Sequence, residues 1–168
     1  MKTCHALAAL LLLSGATLLA ANDYTYKPSG LSFTLPEGWT CTQKEDRLEI
    51  ENAEKTVAVV GGVIPKESAK AIFADISKFL ATLDGFKNVK VVAGPEKETV
   101  NGLEQAWYEG SANFKNDEGK MEQIQWDMTI VTGGKDILFL IGTGKLDENE
   151  DAYEEFFETI EKADDDAE

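Results

Sequence analysis

Histidine and cysteine are nearly absent from this chain of 168 residues, which contains one histidine and two cysteines. His5 and Cys4 lie in the apolar N-terminal stretch, so removal of that stretch would leave Cys41 as the one thiol and no imidazole. Histidine is the usual general base of Ser-His-Asp and Cys-His catalysis and a common zinc ligand. Neither a Ser-x-x-Lys nor a Gly-x-Ser-x-Gly motif occurs. We therefore expect no catalytic residues and no cofactor, and the sequence predicts a protein that is not an enzyme.

Basic residues are also scarce, with 16 Lys and Arg against 31 Asp and Glu and a formal net charge of −15. Such a surface repels phosphate backbones and anionic lipids. We therefore expect no nucleic-acid partner and no membrane insertion of the mature chain. The acidic residues concentrate after Asp147, and residues 163–168 are predicted to form an acidic disordered tail. A lone mature cysteine cannot form an internal disulfide.

The N-terminal residues have the composition of a secretory signal peptide. Lys2 precedes two apolar runs, residues 6–13 and 16–19, and two alanines follow them. A positive start, an apolar core and small residues before the cleavage site direct a protein to export. We expect residues 1–21 to be cleaved and the mature domain to be secreted or periplasmic. Alanine, not cysteine, follows Leu-Ser-Gly, so the sequence predicts no lipoprotein anchor; an uncleaved anchor is the alternative.

Short strand patterns alternate with two helical patterns over residues 22–162. Apolar residues at helical spacing predict one helix from Glu67 to Leu83 and another from about Glu150 to Lys162. Asn101-Gly102 predicts a tight hairpin turn, and the apolar run from Ile137 to Ile141 predicts a strand covered on both faces. Strands joined by tight turns form antiparallel sheets. We predict one α+β domain, a single antiparallel sheet of about six to eight strands flanked by two main helices.

Four segments together indicate a known fold family. They are the opening Leu-Ser-Phe-Thr-Leu-Pro-Glu-Gly-Trp of residues 31–39, the helix 67–83, the strand around 102–110, and the run 137–142 leading to a Phe-Phe-x-x-Ile helix. This arrangement resembles the PsbP-like fold family, which includes Mog-type proteins and DcrB-like bacterial envelope proteins. The resemblance implies an antiparallel sheet flanked by helices and a role in binding other proteins. It implies no shared active-site residues.

A long hairpin, residues 103–132, provides the first candidate binding surface. If Phe114 pairs with Met121, the tryptophans of both strands point into the core. The reverse face then carries the candidate residues Tyr108, Gln125, Asp127 and Thr129. Tyr108 lies opposite Asp127 in this register, and small residues between the polar ones form a shallow floor for a ligand. The alternative is that the terminal helix or solvent covers this face.

Calcium binding is the second candidate. Asp147, Asn149, Asp151, Glu155 and Glu158 occupy positions 1, 3, 5, 9 and 12 of an EF-hand-like register. Ala152 stands where the loop needs glycine. The alternative is that Asp147 or Asn149 caps the last helix and that its acidic first turn complements the helix dipole.

Two functions follow as expectations. The first is a non-catalytic secreted or periplasmic accessory domain that binds an unidentified envelope or secreted protein. The second is a periplasmic small-ligand or calcium-binding module that uses the acidic C-terminal cluster. An enzyme driven by carboxylates comes third, because no pair of acidic residues is singled out by its position.

Overall fold

A computed structural model describes residues 22–44, 47–115 and 119–163. Its strands are β1 (Asn22–Tyr26), β2 (Leu31–Leu35), β3 (Thr40–Gln43), β4 (Arg47–Glu51), β5 (Val57–Ile64), β6 (Phe86–Val100), β7 (Leu103–Lys115), β8 (Met121–Thr132), β9 (Ile137–Gly144) and β10 (Glu161–Lys162). Its α-helices are α1 (Ala69–Ala74), α2 (Ile76–Leu80) and α3 (Glu150–Glu158). Within these three ranges no helix is long and apolar enough to cross a bilayer. The predicted signal peptide and residues 164–168 of the predicted tail lie outside the described residues.

Seven strands form one antiparallel sheet in the order β3-β4-β5-β9-β8-β7-β6. The prediction of an α+β fold with a large antiparallel sheet and two helical regions is confirmed. A second sheet, in the order β1-β2-β10, was not predicted. Its last strand has two residues, which pair with Ser32 and Leu31. A strand of that length is too short to show the alternation by which strands are recognised.

The large sheet is covered on both sides by separate cores. The side that packs against α3 and the small sheet is here called the α3 face; its buried residues include Leu103, Gln105, Thr129, Val131, Leu138 and Leu140. The side that packs against α2 is called the α2 face; its buried residues include Tyr108, Trp126, Met128, Ile130, Ile137 and Ile141. Strand β9 contributes to both cores, which confirms the prediction of a strand covered on both faces.

The first helical region is interrupted where one continuous helix was predicted. The chain forms a 3₁₀ turn at Lys66–Ser68, then α1, and it leaves helical geometry at Asp75 with φ −153° and ψ 81°. The Asp75 carboxylate accepts a hydrogen bond from the Lys78 backbone N–H at 2.9 Å and so starts α2 as its N-cap. Aspartate is a strong N-cap residue because it satisfies a backbone N–H that has no partner within the helix. The apolar spacing continues across Asp75, so periodicity alone concealed the break.

The last helix ends four residues before the predicted boundary. The Thr159 hydroxyl lies 2.7 Å from the Phe156 carbonyl and accepts a hydrogen bond from the Thr34 N–H at 3.0 Å. The chain then extends into β10, and the Ala163 N–H donates to the Gly30 carbonyl at 3.1 Å. Pairing with β2 therefore replaces the last turn of the predicted helix.

The turn at Asn101-Gly102 has the predicted geometry. Both residues have positive φ, 51° and 74°, and Val100 pairs with Leu103 across the turn. The Asn101 side-chain N–H₂ also donates to the carbonyls of Glu158 at 2.8 Å and Ile160 at 3.0 Å. The hairpin tip is thereby attached to the C-terminal end of α3, which brings the two structures together along one side of a cleft.

Candidate functional site

The β7–β8 hairpin pairs one residue away from the predicted register. Lys115 pairs with Met121, so Tyr108 lies opposite Met128 and Glu109 lies opposite Asp127. The predicted pairing of Tyr108 with Asp127 is wrong, because the two strands pair one residue further along. A shift of one residue moves side chains to the other face of a sheet. The side chain of Tyr108 belongs to the core of the α2 face, whereas Gln125, Asp127 and Thr129 lie on the α3 face.

Gly110 and Trp126 explain this register. They are paired, and a Cβ at position 110 would lie 2.3 Å from the Trp126 ring and 2.1 Å from the Lys90 carbonyl. Glycine in a strand interior often marks such a close approach. Trp126 is fully buried above it, whereas Trp107 falls on the α3 face and stays partly exposed. Gly110 was therefore the signal in the sequence that could have fixed the register.

An acidic cleft of about 660 Å³ opens on the α3 face, between α3 and strands β6, β7 and β8. Its carboxylates are those of Glu96, Glu98, Glu109, Asp127, Asp147, Glu150, Glu154 and Glu158. No lysine or arginine of the described residues lines it. This cavity, with its eight carboxylates, is called the acidic cleft.

Three elements place the carboxylates along the cleft. Glu150, Glu154 and Glu158 follow one another at a spacing of four residues, which puts them on one stripe of α3. Glu96 and Glu98 are two residues apart on β6, so they point to the same side of the sheet. The acidic C-terminal cluster is visible in the sequence, but no local pattern relates the glutamates of β6 and β7 to α3.

Asp127 is the most perturbed carboxylate of the cleft. It is half-buried and lies directly opposite Glu109. Burial, followed by the negative charges of Glu109 and Asp147, raises its pKa from 3.8 to about 6. Desolvation and like charges both disfavour the ionised form. None of the described residues forms an ion pair with Asp127, so its charge is uncompensated near neutral pH.

Aromatic side chains form the walls of the cleft. Trp107 lines it from β7, and Tyr153 and Phe157 line it from α3, where their rings lie 4.8 Å apart between centroids. The Tyr153 hydroxyl lies over Gly142, where a Cβ would be 2.2 Å from the hydroxyl oxygen. Burial and the charge of Asp127 raise the pKa of Tyr153, while the backbone of Gly142 opposes that shift. The phenol is therefore neutral and serves as a wall rather than a base.

The predicted calcium residues are distributed differently from an EF-hand loop. Asp147 and Asn149 lie in a 3₁₀ turn, and Asp151, Glu155 and Glu158 lie in α3. These residues do not form an EF-hand loop, because Asp151, Glu155 and Glu158 lie in the helix predicted from Glu150; calcium binding stays a prediction. Asp147 and Glu158 line the acidic cleft, while Asp151 and Glu155 lie outside it. Over the described ranges, no group of three or more His, Cys, Asp or Glu side chains is arranged to hold a metal ion.

The capping alternative is also corrected. Asn149 occupies the N-cap position of α3 but makes no capping hydrogen bond. Its side-chain N–H₂ donates to the Lys145 carbonyl at 2.9 Å, and its side-chain oxygen, Oδ1, accepts from the Asn52 side-chain N–H₂ at 3.3 Å. Asn149 therefore attaches the start of α3 to the β4–β5 turn. The acidic first turn of α3, Glu150 and Asp151, is as expected for the helix dipole.

Solved structures identify the fold. No family model and no curated protein sequence matches this chain. The solution structure of cyanobacterial PsbP (CyanoP) from Synechocystis sp. PCC 6803 is similar over 95% of this chain and 97% of that chain, with TM-score 0.53 and 13% identity. At this identity the likeness concerns the fold alone, and the fold of this chain is PsbP-like.

Two further structures are similar at lower TM-scores. LpqN, involved in cell envelope biogenesis of Mycobacterium tuberculosis, matches 84% of this chain and 90% of its own, with TM-score 0.44 and 12% identity. A crystal structure from Bacteroides thetaiotaomicron VPI-5482 matches 81% of this chain, with TM-score 0.48 and 14% identity. This chain covers 46% of that protein.

Proposed function

We propose that this protein is a non-catalytic accessory domain, secreted or periplasmic, that binds a basic segment of another envelope or secreted protein in the acidic cleft. One observation carries the proposal: eight carboxylates, and no basic side chain of the described residues, line a cleft with aromatic walls. The PsbP-like fold and the resemblance to DcrB-like envelope proteins support a binding role rather than a catalytic one. The signal-peptide pattern supports export.

Electrostatics favour a cationic ligand. None of the eight carboxylates forms an ion pair with a lysine or arginine of the described residues. Carboxylates that share a partly desolvated wall repel one another, and an incoming ammonium or guanidinium group relieves that repulsion. A cleft lined by one sign of charge also focuses its field and accelerates association with the opposite charge. We expect the binding to weaken as salt is added.

The size of the cleft favours a segment over a folded domain. Its volume of about 660 Å³ accommodates a few side chains. The partly exposed Trp107 lines the cleft and offers an aromatic ring against which a guanidinium or ammonium group can bind. The same volume lies in the range of small-molecule sites, so a small organic cation is the second candidate. Calcium, held by cleft carboxylates such as Asp147, is the third.

Peptide binding tests the proposal. The probe is a fluorescent peptide of alternating lysine and threonine, and its affinity for the purified protein is measured by fluorescence anisotropy at low and high salt. Replacing Glu150 and Glu154 by glutamine removes two charges from the cleft. We expect this double variant to bind at least about tenfold more weakly, which corresponds to about 1.4 kcal/mol.

The matched control lies on the same helix. Asp151 and Glu155 are exposed on α3 but lie outside the cleft, and the variant Asp151→Asn with Glu155→Gln loses the same charge. We expect its affinity to change by less than about threefold. Equal losses in both variants would show that the peptide responds to net charge alone and would reject the cleft. If the peptide does not bind but a small amine or millimolar calcium raises Tm in a cleft-dependent way, the corresponding alternative replaces the proposal.

A further inference from the structure

Strand β6 lies at the edge of the large sheet beside the acidic cleft, and no strand of the described ranges pairs with its outer side. It is the last strand in the sheet order, and among the described residues its ladder partner is β7. Most of its residues from Lys87 to Val100 are exposed. Edge strands present backbone N–H and C=O groups that can pair with another chain. The segment Glu96–Val100 pairs with β7 in regular register and is therefore the part of the edge best suited to accept a further strand.

The hairpin geometry shows which backbone groups point outward. In a hairpin with a two-residue turn, the residues that flank the turn exchange both hydrogen bonds, and the pattern then alternates. Val100 and Leu103 flank the turn, so Glu98 and Glu96 also direct their backbone groups toward β7. Lys97 and Thr99 therefore direct an N–H and a C=O each toward the open edge.

Side chains alternate in the same way. Glu98 pairs with Gln105 and Glu96 pairs with Trp107, both on the α3 face, so both glutamates point into the acidic cleft. An added strand would place every second side chain beside these carboxylates, because directly opposite residues share a face. Val92 is 74% exposed on the same strand and borders the cleft, where it offers apolar contact.

Gln105 attaches this edge of the sheet to α3 through β7. Its residue is 1% exposed, and its side-chain N–H₂ donates to the Phe157 carbonyl at 3.2 Å. That bond identifies which end of the side-chain amide is the nitrogen. The other end, the oxygen Oε1, is buried without a hydrogen-bond partner in the described part of the chain.

We propose that the basic segment binds as an added antiparallel strand on β6, paired with Lys97 and Thr99, with a lysine or arginine at every second position facing Glu96 and Glu98. This inference rests on the proposed function and specifies how the partner is held. Main-chain hydrogen bonds supply part of the affinity in this mode, and alternate side chains supply the specificity. All pairings in the sheet are antiparallel, and antiparallel ladders are the more stable kind.

A second copy of this chain fits the edge poorly. It would bring its own Glu96 and Glu98 to the cleft, and like charges on adjacent strands are destabilising. The net charge of −15 also opposes self-association. The occupant is therefore a basic segment of a different protein.

Backbone N-methylation tests the added strand, again with the lysine–threonine peptide. In the antiparallel arrangement the lysines face the glutamates, and the threonine N–H groups face β6. Methylating the threonine nitrogens removes the bonds to Lys97 and Thr99, so we expect affinity to fall at least tenfold. Methylating the same number of lysine backbone nitrogens affects N–H groups that face solvent, so we expect the affinity to change by less than threefold.

A protein variant tests the same contact from the other side. Thr99→Pro removes an outward N–H, a position at which edge strands tolerate proline. We expect at least a tenfold loss of peptide affinity with the Tm retained, and no comparable loss in Thr99→Val, which keeps the N–H. If Thr99→Pro does not fold, the methylated peptides decide alone.

The outcomes separate the inference from the function on which it rests. Equal binding of all three peptides would overturn the added strand and leave the acidic cleft intact. Loss of affinity only when the lysine backbone nitrogens are methylated would indicate a parallel strand and would also overturn the antiparallel proposal. Absence of binding by the unmodified peptide at low salt would overturn both the inference and the proposed function.

Discussion

Replacing Asp127 by asparagine tests the electrostatics of the acidic cleft directly. The carboxylate is half-buried and faces Glu109 and Asp147 without a basic partner among the described residues. Asparagine keeps the shape of the side chain and removes its charge. Because the folded protein disfavours the ionised form of Asp127, the variant is expected to be more stable than the parent near neutral pH.

The magnitude follows from the pKa of Asp127. An increase from 3.8 to about 6 corresponds to about 3 kcal/mol of differential interaction. Solvent reaches part of this side chain and screens the charges, which reduces the expected gain to about 1–2 kcal/mol. Below about pH 3 the carboxyl of Asp127 is neutral in both the folded and the unfolded state. Between about pH 4 and pH 6 Asp127 is ionised in the unfolded chain but still largely protonated in the folded one. Its contribution therefore lowers the free energy of unfolding of the parent as the pH rises.

Urea unfolding of parent and variant at about pH 3 and about pH 7.5 measures the effect. We expect Asp127→Asn to exceed the parent by about 1–2 kcal/mol at the higher pH and to match it at the lower. Glu155→Gln, on the exposed part of α3 outside the cleft, is the control and should change stability by less than about 0.5 kcal/mol. A variant that is less stable than the parent at pH 7.5 would refute the argument. So would a stability difference that persists unchanged at about pH 3.

Two other substitutions test the fold around the cleft and the lone thiol. Gly110→Ala is expected to destabilise the protein by about 2–3 kcal/mol, because the new Cβ would overlap the buried Trp126 ring and the Lys90 carbonyl; a loss below about 0.5 kcal/mol in urea unfolding would contradict the register. Burial raises the pKa of Cys41 to about 11, so alkylation by iodoacetamide should be slow near neutral pH and should accelerate toward pH 10. A rate at pH 7.5 equal to that of a small free thiol would show that the site is not desolvated.

The elements that the sequence predicted correctly are those with strong local signals. Asn101-Gly102 forms the expected turn because few residue pairs adopt two successive positive φ angles without strain. The run from Ile137 to Ile141 is covered on both faces because every position in it is apolar. The α3 stripe of Tyr153, Phe156 and Phe157 is buried as its spacing requires.

The elements that the sequence predicted wrongly are those decided by distant partners. Local periodicity extended the last helix past Glu158, but Thr159 bonds to Thr34 and the chain joins β2 instead. The register of the β7–β8 hairpin depends on the fit of Trp126 over Gly110, and loop length alone left it one residue uncertain. The break at Asp75 was not predicted, because the apolar pattern continues across it.

Composition by itself determined the chemistry that is available to this protein. The scarcity of histidine and cysteine, the excess of acidic residues and the alternation of strand patterns are properties of the chain that folding does not alter. They point away from imidazole catalysis and away from anionic partners before any contact is known.

The tertiary structure decided where that chemistry is concentrated. Glu98, Asp127 and Glu154 come from three elements, and no local pattern relates them. They meet because α3 packs across the strands and because the hairpin register turns Asp127 to the α3 face. Side chains in a strand alternate between the two faces of the sheet. A shift of one residue in the hairpin register would therefore turn Asp127 away from the α3 face and out of the acidic cleft.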